Sequence, residues 1–215
     1  MKNRTNTMGY THTLFKKALS FMVVLSFILA PTIASAKQKI LVWGDSLSAA
    51  YGIPVEKGWV SLMQDKLGEQ VEIVNGSISG ETTQGGLTRL PKALIQHKPD
   101  FVILELGAND GLRGIPPSVT KSNLKKMIEL TQQTQAKIML LGMKIPPNYG
   151  MAYTEQFEEQ FSQLAKDYKL SFIPFFLEDV AQDLALLQED ELHPTAEAQP
   201  IILEKVLTIF KSELL

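Results

Sequence analysis

Three histidines occur in the 215 residues, and only His97 and His193 lie beyond residue 36. His193 closes the phrase Asp190-Glu191-Leu192-His193, and far upstream, at the end of an apolar run, stands Gly44-Asp45-Ser46-Leu47-Ser48. A serine, a histidine and a carboxylate are the groups that nucleophilic hydrolysis requires. A serine alcohol is too weak an acid to attack unaided and needs a base to take its proton. Imidazole is the side chain best poised for that near neutral pH, and a carboxylate must hold it in the right tautomer. Asp190 stands three residues before His193, a one-turn spacing that lets it reach back to the ring. Glu191 is the rival carboxylate, but a separation of two usually points it elsewhere. His97, in Gln96-His97-Lys98-Pro99, reads as an exposed helix end, where a cationic histidine is at home.

Each of these segments also has an ordinary reading. Asp45 and Ser46 are common N-cap residues where a strand turns into a helix. The functional reading needs the same place for another reason: backbone N–H groups and a positive dipole end beside the serine would favour a developing oxyanion. Asp190 to Pro194 could be a solvated acidic turn with Pro194 near the start of the next helix. Gly107-Ala108-Asn109-Asp110-Gly111 has turn composition, yet an asparagine amide at the carboxyl end of a strand can donate to an oxyanion. Ser77 to Thr83 is a polar loop in which Gly80 would let backbone approach a ligand closely. Its plain alternative is a flexible loop with a helix cap at Thr82 or Thr83.

The elements that would position these residues follow from the apolar pattern. Residues 38–43, 71–74, 101–106 and 138–141 are short apolar runs closed by Gly or Asn, and 171–175 is a weaker fifth. Such runs read as buried parallel strands. Helix-period segments lie between them: 59–67, 87–95, 119–134, 154–168 and 195–214. Strand and helix alternate throughout, which predicts a parallel sheet covered on both faces. In such sheets ligands bind beyond the carboxyl ends of the strands, where the strand order reverses. Ser46, Gly80 and Asn109 follow the first three strands and His193 precedes the last helix, so one crevice could gather all four.

Taken together, the phrases GDSLSAAYG at 44–52, NGSISGETTQGGLTRLP at 75–91, ILELGANDGLRG at 103–114, PPNYGMAYTEQF at 146–157 and HPTAEAQPII at 193–202 resemble the SGNH (GDSL-type) hydrolases. Within that superfamily the resemblance is to the small periplasmic thioesterase, arylesterase and lysophospholipase enzymes, and it covers residues 37–215 in order. It implies a flavodoxin-like three-layer α/β/α sandwich around a five-stranded parallel sheet. It also implies Ser46 as nucleophile, His193 as base and Asp190 as third triad member. The oxyanion hole would be the Ser46 backbone N–H with Gly80 and Asn109. Ile145, Pro146 and Pro147 would border an acyl groove, although a rigid turn explains them equally well. One departure is Glu191, where relatives often carry a small residue, commonly Gly; its charge would sit beside Asp190 and add to the local negative charge. The Gly-x-Ser-x-Gly elbow of the other large esterase fold is absent around Ser46. The implied activity is hydrolysis of acyl esters, thioesters or lysophospholipids through an acyl-serine, with no cofactor and no metal.

Bulk properties agree with an exported enzyme. Lys2, Arg4, Lys16 and Lys17 precede the apolar stretch Ala18–Ala30, and Ala34-Ser35-Ala36 is a small-x-small cleavage site before Lys37. The apolar stretch is shorter than the ~20 residues that span a bilayer. Residues 1–36 therefore read as a cleaved signal peptide, whether translation starts at Met1 or Met8, and residues 37–215 as a single domain with no later membrane insertion. Loss of those four cations takes the formal charge from −2 to −6, and without a basic cluster nucleic acid is not an expected partner. The chain has no cysteine, which removes a thiol nucleophile, a Cys lipid anchor and Cys-ligated metal. A periplasmic or secreted monomer is expected. The rival of another class is a flavodoxin-like module whose serine-rich loop holds a phosphate-bearing ligand such as a flavin. A zinc hydrolase is disfavoured because residues 37–215 carry no paired-histidine motif.

Overall fold

The apolar runs become five parallel strands in a computed structural model that describes residues 37–214. The expected signal segment, with its cleavage site, lies outside the described residues. The strands are β1 (Gln38–Gly44), β2 (Val71–Asn75), β3 (Phe101–Glu105), β4 (Lys137–Leu141) and β5 (Ser171–Ile173), in the order β2-β1-β3-β4-β5. Every residue of the central strand β3 is buried. That is why its sequence is a continuous apolar run rather than an alternating one. The helices are α1 (Trp59–Leu67), α2 (Thr83–His97), α3 (Ala108–Leu112), α4 (Pro117–Gln132), α5 (Met151–Tyr168) and α6 (Gln199–Leu214). α1 packs with α6, while α4 packs with both α2 and α5, giving the expected three-layer α/β/α sandwich. Among the described residues no helix is long and apolar enough to cross a membrane.

Several boundaries shift from the sequence pattern, and α3 falls in a segment whose composition reads as a turn; three of the shifts have a clear local or tertiary reason. α2 begins at Thr83, not Leu87, and runs through Gly85-Gly86. The Thr82 side chain accepts from Gly85 N–H, and the Thr83 N–H and hydroxyl both donate to buried Asp110. Those bonds offset the cost of two glycines in the first turns. β5 stops at Ile173 because Pro174 has no N–H to extend the ladder. α6 begins at Gln199, not Thr195, so Pro194 is no helix-start proline; it bridges Leu187 instead, and Pro200 takes the first turn.

Order β2-β1-β3 matters most for the site. Chain connections leave β1 toward β2 on one side, while β3 lies on the other. The carboxyl ends of β1 and β3 therefore flank the point where strand order reverses. The register pairs Gly44 with Glu105. A β-carbon at position 44 would meet Glu105 Oε2 at 2.5 Å, so the first glycine of the Gly-Asp-Ser phrase is required by close approach of this side chain.

Candidate active site

Ser46 lies two residues beyond β1 and is 9% exposed. The sequence pattern suggests a helix starting there. Instead, residues 46–51 form a turn closed by Ala49 N–H to Asp45 O at 3.0 Å and Tyr51 N–H to Ser46 O at 3.3 Å. Ala50 adopts a left-handed φ of 58° and the next regular helix is α1, so no macrodipole ends on Ser46. The local N–H groups of the turn remain. Asp45 does act as a cap for this turn, its Oδ1 accepting from Leu47 N–H at 3.1 Å.

His193 Nε2 stands 2.9 Å from Ser46 Oγ, and its Nδ1 stands 2.6 Å from Asp190 Oδ2. The other Asp190 oxygen accepts from the N–H groups of Leu192 and His193, each at 3.0 Å. One carboxylate thus shapes its own turn and orients the ring. Partial burial pulls the Asp190 carboxyl upward, but the His193 N–H, the imidazole and the Leu192 N–H outweigh it and hold it at about 2. An ionised carboxylate only accepts, so the ring proton sits on Nδ1 and Nε2 is free to accept from Ser46. Glu191 has a left-handed φ of 57°, the conformation a glycine takes without strain. It does not share in this hydrogen-bonded chain.

Asn109 lies on the first turn of α3, and its Nδ2 donates to Asp45 Oδ2 at 3.0 Å. One amide proton is spent on Asp45, which leaves a second N–H of the same amide able to donate. Asp45 is fully buried, and burial pushes its carboxyl up to about 6 against the pull of Leu47 N–H and Asn109. Beneath it Glu105 is also fully buried, accepting at Oε2 from Asp45 N–H at 3.2 Å and from Ser48 hydroxyl at 2.7 Å. Its Oε1 has no hydrogen-bond partner. Burial, and then the nearby Asp45 charge, push Glu105 well above the usual carboxylate range. Each carboxyl accepts from two donors, so it is the upward push of burial on Glu105, added to by Asp45, that leaves the single charge of the pair on Asp45.

Gly80 does not line the cavity that holds Ser46, and it is exposed. It sits on the adjoining loop, tied to β1 by Ile78 N–H to Gly44 O at 3.1 Å. Its carbonyl accepts from Arg113 just past α3 at 3.0 Å, which links it to the segment bearing Asn109. The space over its α-carbon is open: a β-carbon there would have Arg113 as its nearest neighbour, at 3.7 Å. A left-handed φ of 77°, and not crowding, therefore accounts for the glycine. His97 ends α2 as expected and takes no part in the site.

Ser46, Asn109 and His193 open onto a cavity of about 330 Å³. Its apolar wall includes Leu112, Met143, Ile145, Pro146, Phe175 and Leu187, and Pro147 also borders it. The three residues 145–147 thus reach the cavity, and they also lead into the short turn Pro147–Tyr149. The arrangement offers a hydroxyl with its base, an amide donor beside it and an apolar wall for an acyl chain. Sequence reasoning missed Asp45 as the partner of Asn109, and it missed Glu105. The one charge inside the apolar run FVILEL was the signal available for Glu105.

Comparison with known proteins points the same way. The GDSL-like lipase/acylhydrolase family profile matches residues 42–200. An arylesterase of Vibrio mimicus is 49% identical over 187 residues, covering 86% of this chain and 93% of its own. The thioesterase 1/protease 1/lysophospholipase L1 of Escherichia coli K12 is 40% identical over 182 residues, 85% of each chain. The crystal structure of the psychrotrophic esterase EstA from a Pseudoalteromonas species, inhibited by monoethylphosphonate, superposes with a TM-score of 0.78 at 44% identity, covering 83% of this chain and 99% of that one.

Proposed function

The chain belongs to the GDSL-like lipase/acylhydrolase family and is a carboxylic ester hydrolase, and from that premise we propose that it works through an acyl-enzyme on Ser46. The observation that carries this reading is the continuous hydrogen-bonded chain Asp190–His193–Ser46 at the mouth of an apolar cavity. Ser46 Oγ attacks the acyl carbonyl as His193 Nε2 takes its proton, and Asp190 stabilises the imidazolium. The carbonyl oxygen becomes an oxyanion that accepts hydrogen bonds from the free Asn109 amide N–H and from the Ser46 and Gly80 backbone N–H groups. Collapse expels the alcohol or thiol, which takes the proton from His193. Water then attacks the acyl-serine with His193 again as base, releasing the acid and restoring Ser46. The inhibition of EstA by a phosphonate supports a serine nucleophile of this kind in a relative.

Ile145 and Pro146 form part of the acyl wall in this reading, and the substrates are small acyl esters, thioesters or lysophospholipids. Residues 1–36 direct export and are removed before Lys37, placing the enzyme in the periplasm or outside the cell. There it would meet lysophospholipids and short esters rather than cytosolic CoA thioesters. The decisive experiment treats the enzyme with a fluorophosphonate probe. A single adduct mapped by mass spectrometry to Ser46 is expected; an adduct on Ser48, Ser77 or Ser79 would overturn the assignment.

A further inference from the structure

The sheet alone does not bring Ser46 and His193 together. Ser46 follows β1 and His193 lies beyond β5, and β3 and β4 stand between those strands. Contact at 2.9 Å across 147 residues must therefore be set by whatever joins the two loops.

We propose that Gln188 is a positioning residue that fastens the histidine loop to the nucleophile loop and so sets the reach of His193 onto Ser46. Its side-chain Nε2 donates to Tyr51 O and to Pro194 O, each at 2.9 Å. Its backbone N–H donates to His193 O at 2.7 Å, and its carbonyl accepts from Glu191 N–H at 2.9 Å. Gln188 thus grips the carbonyls of His193 and Pro194 while holding the far end of the turn that begins at Ser46. The Tyr51 ring that this bond steadies lies 4.5 Å from the imidazole, centroid to centroid. Gly52 leaves room for the amide, since a β-carbon there would collide with the Gln188 side chain. One amide proton crosses the seam to Tyr51 and the other stays within the histidine loop on Pro194, so the ring is held through the backbone that follows it and through the Tyr51 ring on its face.

A second glutamine lies deeper in the same seam. Buried Gln199 accepts from Trp59 N–H at 3.0 Å and donates to Thr195 O at 3.2 Å. With α1 packed on α6, it holds the loops' roots together when Gln188 is replaced. Half-buried Gln188 can therefore be altered without loss of the fold, and its effect falls on the alignment of His193 above it. Misplacement of a reacting group by about 1 Å costs on the order of 10²-fold in rate.

This inference rests on the triad reading, and its test separates the two. Gln188→Glu keeps the shape but removes both donated protons; Gln188→Met removes them without adding charge. For both variants and the wild type, kcat, KM for a p-nitrophenyl ester, the rate of fluorophosphonate labelling and the thermal midpoint are measured. The expected result is a fall in kcat of roughly 10- to 100-fold, KM within about twofold, labelling slowed in parallel and Ser46 still the labelled residue. A lowered thermal midpoint with unchanged kcat and labelling rate would show that Gln188 only supports the fold. A rise in KM alone would make it a substrate contact. Failure of the probe to label Ser46 in the wild type would defeat the triad reading itself.

Discussion

Asn109 is the residue whose role can be deleted most cleanly. Gly80 and Ser46 offer backbone N–H groups that side-chain replacement leaves in place, whereas the Asn109 amide is removable. Because one of its protons is fixed on Asp45, the other needs no reorganisation when the carbonyl oxygen gains charge. Asn109→Ala should lower kcat by about 10²–10³, or about 3–4 kcal/mol, with little change in KM. Slower probe labelling should persist, since Ser46 and His193 remain. A variant with lower thermal stability but near-normal kcat would reduce Asn109 to a turn residue. The two acids at the histidine loop are separable in the same way. Asp190→Asn replaces the acceptor at Nδ1 and should cost on the order of 10⁴ in kcat. Glu191→Gln should leave kcat nearly unchanged, because Glu191 touches neither ring nitrogen. Equal damage from both would reassign the acid.

At the scale of elements, the junction of β1 and β3 stores a titration. Asp45 and Glu105 sit above their ordinary values of 3.8 and 4.5 when folded. The folded chain therefore binds more protons than the unfolded one once pH exceeds about 4. Stability falls as pH rises, through about 6 for Asp45 and higher for Glu105. Where a group is protonated only in the folded chain, the slope is about 1.4 kcal/mol per pH unit. Glu105→Gln keeps an acceptor for Asp45 N–H and Ser48 but cannot ionise. Thermal unfolding between pH 5 and pH 8 should show the variant gaining on the wild type as pH rises. A difference that stays flat with pH would mean Glu105 is not held neutral. Asp190 behaves oppositely: its depressed value contributes stability above about pH 4 that is lost as pH falls toward 2.

For the whole molecule, the proposal is an exported enzyme trimmed to residues 37–215. Removal of four cations leaves the formal charge at −6, a repulsive surface that favours solubility over association with acidic polymers. N-terminal sequencing of the exported protein should begin at Lys37. A start ahead of the apolar stretch, or recovery only with membranes, would count against cleavage and export.

The sequence by itself determined the parallel sheet and five of the six helices among the described residues, and it singled out the residues proposed to carry the chemistry; α3 lies where its composition reads as a turn. Buried strands leave apolar runs that close on Gly or Asn, and these survive any detail of packing. Asp190 and His193 were legible together because three residues of separation is a local geometry. Tertiary structure decided the rest. Asp45 meets Asn109 across 64 positions, and Gln188 meets Tyr51 across 137. Glu105 lies beside Gly44 only through the β1–β3 register. Thr82 and Asp110 together start α2 four residues early, across glycines that local propensity reads as a break. Ser46 sits on a turn and not on a helix for the same kind of reason. These contacts depend on strand register and loop docking, which bring distant polar groups into hydrogen-bond range, and no periodicity along one chain records which distant partner a buried donor or acceptor will find.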